Sequence, residues 1–364
     1  MARFLFVTRS LTGGGAERVI SILSNNLVLM GHEAHIVLCG RSDHDYTVAP
    51  EVALHLLPGR RSTYRQKLSR ITEIRRVLRK TRPDFVFSFV DNLVYATFLA
   101  TRGLRTTYIS AVRNNPDAES ANGIERWIKL LVNRLADAVF LQTSDQAAFY
   151  PHSVQRKSFV VPNPVSHAFS QAEPVRVERI ERIVTLGRLE NQKNHRLLID
   201  AFAKARTQNP SLRLTIYGEG RLRRELEAQA SACGAADVID MPGRRDDVAD
   251  VLKEKDLFIL SSDYEGFPNA LIEAMCVGLP CIATDCPTGP RELLEGGRGI
   301  LTPPGDACAL ADAILRMVEH PRKAAEMGAR ARAHVLKNYS EREIAERFAA
   351  ECMRHQHPTR AKEQ

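Results

Sequence analysis

The sequence predicts an α/β protein of two Rossmann-like domains, each a doubly wound parallel sheet, facing a cleft. Three observations predict it. Apolar runs of strand length alternate with helical stretches. That rhythm breaks once, near residue 165, into Pro and polar residues and then starts again. The chain's 364 residues also exceed what one compact core ordinarily holds.

ARFLFVTR opens the chain as a strand, AERVISILSNNLVLMG follows as a helix, and EAHIVLCG returns as a strand. Further strands are expected at DFVFSFV, TTYISAV, DAVFLQT and SFVVPN. Strands separated by helices imply parallel pairing, so residues 1–165 form a first domain. The segment PNPVSHAFSQAEPVRVER carries the break, and residues 166–180 are read as a linker. A second α/β set runs from RIVTLGRL through NHRLLIDAFAKART, LRLTIYGEG, VIDMPG and LFILSS to PCIATD, placing a second domain at 181–340. From about 309 to 355 the chain reads as helical and rich in Ala, Arg and Glu. Residues 341–364 are expected to form a terminal helix that crosses back to the first domain.

With 44% hydrophobic and 26% charged residues, the composition is that of a soluble globular protein. No uncharged apolar run reaches 18 residues, and MARFLFVTRS turns polar too soon for a signal peptide, which points to the cytoplasm. Seven cysteines without a CxxC pair build neither a disulfide framework nor a zinc site; Cys276, Cys281 and Cys286 read as small buried hydrophobes.

The formal charge of +8 is uneven. Residues 1–180 hold 24 Lys and Arg against 15 Asp and Glu, leaving 27 against 28 for the remainder. Its centre is residues 59–83, with ten cations and the single acid Glu73. Leu68, Ile71, Ile74 (or Arg75) and Leu78 recur there at helical spacing, giving an amphipathic helix with a cationic outer face. Such a face is either a solvated helix surface or a surface for anionic lipid or phosphate. Nucleic acid is disfavoured because Tyr64 alone interleaves with the charges.

In open parallel sheets ligands bind beyond the carboxyl ends of the strands. Three Gly-rich loops fall there: TRSLTGGGAERV with Gly14 and Gly15, LGRLENQKNH, and YGEGRLRREL with Gly218. None completes GxGxxG or GxxxxGK[ST], so neither a dehydrogenase-type dinucleotide site nor a Walker loop is supported. In the second loop Arg188 and Lys193 stand five apart and can place two permanent charges on one anion, a diphosphate. SSDYEGFPNALIEAMCVG reads as a strand exit into a helix with Pro268 among its first residues. The backbone N–H groups of Asn269, Ala270 and Leu271 are then expected at a positive helix end, ready for phosphate oxygens. Glu273 lies one turn after Asn269 and suits ribose hydroxyls, whereas Glu265 on the loop suits hydroxyls of a sugar beyond. A plain helix-terminal acid accounts for Glu273 fairly well and for Glu265 poorly.

The ordered set GGGAERV, MGHEAHIV, GRLENQKN, GEG, PGRRDDV and EGFPNALIEAM resembles the family 4 retaining glycosyltransferases of the GT-B fold over nearly the whole chain. DCPTGPRELL is similar to the branch that builds capsule, exopolysaccharide and lipopolysaccharide, often on polyprenyl diphosphate carriers. The resemblance implies that Arg188 and Lys193 grip the donor diphosphate, Glu273 the ribose and Glu265 the donor sugar, with Gly243 and Arg244 near the base. It implies a UDP-sugar as co-substrate, a glycan or lipid-linked glycan as acceptor, and no cofactor. It also implies no divalent cation, and His32 and His35 form HEAH rather than the HExxH of a zinc helix.

One departure stands out. Many members carry a histidine after the strand that corresponds to TTYISAV, and this chain reads SAVRNNP with Arg113 and Asn114. The resemblance then implies front-face attack with the leaving phosphate taking the acceptor proton, and puts Arg113 near that phosphate or an anionic acceptor. Two other readings share the diphosphate grip: a GT-B sugar-nucleotide epimerase, which needs acid/base groups not evident here, and a non-catalytic sugar-nucleotide-binding assembly partner.

Overall fold

The computed structural model describes residues 1–12, 14–40, 46–57, 64–89, 91–115 and 123–356. The chain divides into two compact units, Met1–Pro164 with Glu341–Gln364, and Val165–Ser340. Both are parallel-sheet Rossmann-like units, the fold class read from the sequence.

The first unit runs β1 (Arg3–Thr8), α1 (Gly15–Leu29), β2 (Glu33–Leu38), β3 (Ala53–Leu56), α2 (Tyr64–Thr81), β4 (Phe85–Ser88), α3 (Asp91–Thr101), β5 (Thr107–Ala111), α4 (Gly123–Leu135), β6 (Ala138–Leu141), α5 (His152–Gln155) and β7 (Ser158–Val160). Its strands lie in the order β3-β2-β1-β4-β5-β6-β7. Alternation along each strand sorts the core into two layers. Phe4, Phe6, Phe85, Phe87 and Phe140 face one side with Ile20 and Leu23 of α1. Leu5, Val7, Val86 and Tyr108 face the other, against Ile74 and Leu78 of α2, Val94 of α3 and Val132 of α4.

In the second unit, α6 (His167–Ser170), β8 (Arg182–Leu186), α7 (His195–Gln208), β9 (Arg213–Tyr217), α8 (Arg223–Ala232), β10 (Ile239–Gly243) and α9 (Val248–Lys253) come first. They are followed by β11 (Leu257–Leu260), α10 (Asn269–Cys276), β12 (Cys281–Thr284), α11 (Pro290–Leu294), β13 (Ile300–Thr302), α12 (Ala307–Glu319) and α13 (Pro321–Asn338). The sheet order is β10-β9-β8-β11-β12-β13. From β8 the chain builds outward one way to β10, then returns to the other side of β8 at β11, so the topology reverses between β8 and β11. The last helix, α14 (Glu341–Arg354), belongs to the first unit. Phe348 anchors it there, with its ring 5.0 Å from Phe87 and 5.3 Å from Phe140.

Several local expectations change. β3 and β13, unforeseen, have four and three residues, too short to show a period. The residues read as a linker pack as part of the second unit. Phe169 and Ala172 are buried beside Leu271 and Met275, Val175 N–H donates to Val277 O at 2.9 Å, and Arg332 reaches Ala172 O at 2.8 Å. Arg75, counted with the outward cations, instead donates to the carbonyls of Ala100 (2.9 Å) and Arg102 (2.7 Å) at the end of α3. Residues 59–63 of the basic segment lie outside the described residues. Cys276, Cys281 and Cys286 are buried free thiols, as expected. His32 Nδ1 accepts from Ala2 N–H at 3.2 Å and His35 meets His55 at 3.2 Å, so both serve the sheet end. No helix among the described residues is long and apolar enough to cross a membrane.

Asp256 fixes where β8 begins. It is 4% exposed and accepts from Glu181 N–H (3.0 Å), Arg182 N–H (2.7 Å) and Arg182 Nη2 (2.7 Å). Burial pushes its carboxyl upward, but the hydrogen bonds from Arg182 and the two amides outweigh that and hold it below its ordinary value of 3.8. Because the folded value lies below the unfolded one, the stabilisation is fully present well above pH 3.8 and is lost progressively as pH falls from there through the lower folded value. Asp256→Ala is expected to cost about 2 kcal/mol in urea unfolding at pH 7 and less at pH 3. An equal cost at both values would show that the charge is not what matters.

Candidate functional site

The loops after β8 and β11 leave adjacent strands at the point where the sheet order reverses, the position at which open α/β sheets hold ligands. The first loop carries Arg188 and Lys193 and the second carries Glu265. Lys193 Nζ donates to Glu265 Oε1 at 2.6 Å, with side chains only 16% and 5% exposed. Ser262 Oγ lies 2.6 Å from the same oxygen. Charges this far from water attract strongly, and both must be satisfied for the site to hold its shape.

The backbone joins the two loops as well. Asp263 N–H donates to Gln192 O (2.9 Å), Gln192 Nε2 to Tyr264 O (3.1 Å), Asn194 Nδ2 to Asp263 Oδ1 (2.7 Å) and Ser261 Oγ to Lys193 O (2.9 Å). Asn194, at φ 42°, ends the turn and caps α7 by accepting from Leu197 N–H. The Lys193 stem folds back over Gly187, where an added Cβ would stand 3.1 Å from Lys193 Cγ. Gly218, at φ +143°, crosses so close to Gly187 that a Cβ would collide with its carbonyl oxygen. Gly218 N–H donates to Gly243 O at 3.0 Å, bringing the loop of Arg244 alongside. Arg244 is exposed and pairs with Asp246 at 3.1 Å.

Unused hydrogen-bonding capacity is what a ligand needs. Among the described residues Lys193 spends one of its three N–H donors, on Glu265. Arg188, exposed, donates once, to Gln192 Oε1 at 3.2 Å. Glu265 Oε1 takes both bonds to that carboxylate, leaving Oε2 for a hydroxyl donor. Glu273, on the buried side of α10, is 6% exposed.

The end of α10 differs from expectation. Pro268 is the capping residue just ahead of the helix rather than one of its first residues. Asn269 N–H already donates to Phe267 O at 2.9 Å and Leu271 N–H to Pro268 O at 3.0 Å, so two of the three expected phosphate donors are engaged inside a tight turn. The turn is held by Thr288, whose hydroxyl donates to Glu265 O, and by Gly289, where a side chain would strike Pro268. Ala270 remains the candidate donor of that set.

His195, Ser262 and Thr288 escaped the sequence reading. His195 is 2% exposed under the Gly187–Arg188 turn. Burial first, then the Lys193 charge, lower its pKa to about 4, against a rise from the neighbouring Arg188 and Gly187 carbonyls. It is therefore a neutral support at pH 7.

In the first unit the polar residues gather beyond the carboxyl ends of β5, β6 and β7. Arg113 lies over Phe89 at 4.8 Å and Phe140 at 5.7 Å, and its Nη2 donates to Asn163 Oδ1 at 2.9 Å. Gln142 Nε2 donates to the same oxygen at 2.8 Å, and Gln146 Nε2 to Asn114 O at 3.2 Å. Gln142, Gln146 and Asn163 are buried. Gly14 precedes α1, and a Cβ there would run into Glu17, whose carboxylate folds back over it; Gly15 is the exposed first helical residue. Burial raises the Glu17 pKa, opposed by its own backbone hydrogen bond and by Arg113 and Arg9. The GGGAERV motif was read for its glycines, and Glu17 is what they make room for.

Removing Lys193 leaves Glu265 buried and unpaired. Lys193→Ala is expected to lower unfolding free energy by about 3 kcal/mol, and adding Glu265→Gln to it should recover part of that loss. If the two changes were additive in denaturant titrations, the pair would not be coupled.

Comparison with known proteins bears on the family and the fold. Residues 13–169 match the Glycosyltransferase Family 4 domain and residues 169–334 match Glycosyl transferases group 1. An uncharacterised glycosyltransferase of Methanocaldococcus jannaschii is 28% identical over 62% of this chain and 62% of its own length. The diNAcBac-PP-undecaprenol-linked α-1,4-N-acetyl-D-galactosaminyltransferase of Campylobacter jejuni is 26% identical over 85% of this chain and 87% of its own. Anabaena HepE, solved with UDP and glucose, superposes with a TM-score of 0.80 at 19% identity, covering 96% of this chain and 99% of that one. With family domains matched from residue 13 to residue 334, and one Rossmann-like parallel sheet in each unit as in GT-B glycosyltransferases, the chain belongs to the group 1 and family 4 glycosyltransferases.

Proposed function

We propose that this glycosyltransferase moves a hexose or N-acetylhexosamine, with retained anomeric configuration, from a UDP-sugar to a growing polyprenyl-diphosphate-linked bacterial surface glycan. The observation that carries the reading is the Lys193–Glu265 pair beside Arg188 at the sheet reversal, which offers spare cationic donors next to a spare carboxylate oxygen. In HepE the bound species are UDP and glucose, and the Campylobacter enzyme's name specifies an undecaprenyl-diphosphate-linked acceptor.

The chemistry is cleavage of the bond from the anomeric carbon to the diphosphate oxygen while an acceptor hydroxyl bonds the same face of that carbon. The acceptor proton passes to the departing phosphate. Arg188 and Lys193 stabilise the charge that grows on the diphosphate, a transition-state effect. Glu265 Oε2 orients the sugar by a hydroxyl, and Glu273 holds the ribose. Ala270 N–H adds a donor at the positive end of α10, and Arg244 lies toward the base. Arg113, held by Asn163 and two rings, meets an anionic acceptor group, with Asn114 beside it. No cofactor or metal enters this scheme. The enzyme works in the cytoplasm, peripherally on the inner membrane face, with the cationic side of α2 toward the lipid.

Arg188→Ala is expected to reduce kcat by about 10²- to 10³-fold. Glu273→Gln should mainly weaken UDP binding and Glu265→Gln mainly lower kcat. Transfer from a labelled UDP-sugar to a lipid-linked acceptor, with the product anomer assigned by NMR, tests the whole reading. An inverted product, or full activity in all three variants, refutes it.

A further inference from the structure

On the side of the first sheet opposite α1 and α14, the helices α2, α3 and α4 pack as one layer, joined through Ile74, Leu78, Leu93, Val94, Phe98 and Val132. The inner side of α4 is accounted for by Val132, which is buried, and Ile128, which packs against the same core. Its outer side is not. Trp127 is 63% exposed, Leu131 38% and Leu135 51%, and their spacing of four stacks them into one stripe along the helix. Leu99 on α3, 48% exposed, lies in the same outer layer.

Isolated exposed apolar residues are ordinary; a continuous stripe of Trp and Leu on one amphipathic helix is not. The surrounding charge says what covers it. Arg126 and Arg134 on α4 and Arg76, Arg79 and Lys80 on α2 are exposed, and the three on α2 make no ion pair among the described residues. A second copy of this chain, docked stripe to stripe about a twofold axis, would bring these cations toward one another, which opposes self-association. An anionic lipid surface satisfies both features. Its headgroups attract the Arg and Lys side chains, and its interface takes up Trp and Leu.

We propose that α4 inserts shallowly into an anionic lipid surface through Trp127, Leu131 and Leu135, with the exposed cations of α2 as an electrostatic flank. The proposal deepens the reading of a lipid-linked acceptor, yet its deciding readouts, vesicle binding and Trp127 emission, need neither donor nor acceptor; transfer to a soluble acceptor serves only as a control on the variants.

Trp127 is the single tryptophan of the chain, so intrinsic emission reports on this one side chain. On mixing the full chain with vesicles of phosphatidylglycerol and phosphatidylethanolamine, Trp127 emission should move to shorter wavelength and be quenched by acyl-chain-brominated lipid. Phosphatidylcholine vesicles should leave it unchanged. Leu131→Glu with Leu135→Glu should abolish the shift. Arg76→Glu, Arg79→Glu and Lys80→Glu together should weaken vesicle affinity about a hundredfold at low salt. Both sets should keep the circular dichroism of the parent and its transfer to a short soluble acceptor. The proposal is overturned by absence of vesicle binding or by binding that leaves Trp127 emission unchanged. A concentration-dependent shift without lipid, with a doubled mass in light scattering, overturns it in favour of self-association.

Discussion

The 2.6 Å bond between Lys193 and Glu265 links two loops that leave neighbouring strands in opposite topological directions. Without it each loop would end in a lone charge facing a largely buried site, at a cost that a marginally stable domain cannot absorb. With it, among the described residues, Lys193 uses one of its three N–H donors and Glu265 Oε1 accepts both bonds made to that carboxylate. The remaining local features support this arrangement. Ser262 holds Glu265 from one side, the Lys193 stem lies over Gly187, and neutral His195 fills the space beneath without adding a competing charge.

Electrostatic economy also explains the use of glycine. Gly187 and Gly218 are bare so that the loop after β9 can close on the loop after β8, and their contact sets where Arg188 begins. In the first unit Gly14 plays a comparable part, clearing space for a half-buried Glu17 near the positive field of Arg113 and Arg9. Each unit thus places ionisable groups at the carboxyl ends of its own parallel strands. The second does so with a closed ion pair, the first with an arginine clamped between aromatic faces and Asn163.

Much of this was legible in the sequence because it depends on local pattern. Strand and helix order followed from apolar periodicity, and Arg188, Lys193 and Glu265 could be singled out as charges on strand-exit loops. Their mutual bond could not, since 72 residues separate Lys193 from Glu265 and only the sheet order makes the loops neighbours. The turn before α10 misled for a related reason: Pro268 suggested open amides, whereas Phe267 O and Pro268 O accept from two of them. Arg75 looked like its surface neighbours until α3 supplied carbonyls to cap. Trp127 stood in a helix whose amphipathic pattern does not say which apolar residues lie outside the core. The match to group 1 and family 4 glycosyltransferases rests on motifs spread along the chain, and it reaches the fold and the reaction class more directly than the donor or the acceptor.

The proposed function requires Lys193 to be shared between Glu265 and the leaving diphosphate. Calorimetric titration of UDP into the wild-type chain and into the Lys193→Ala variant, on protein verified as folded, tests this directly. A charge-assisted hydrogen bond predicts affinity lower by about tenfold or more in the variant. Equal affinity in the two would mean that Lys193 serves Glu265 alone and that the diphosphate is held elsewhere.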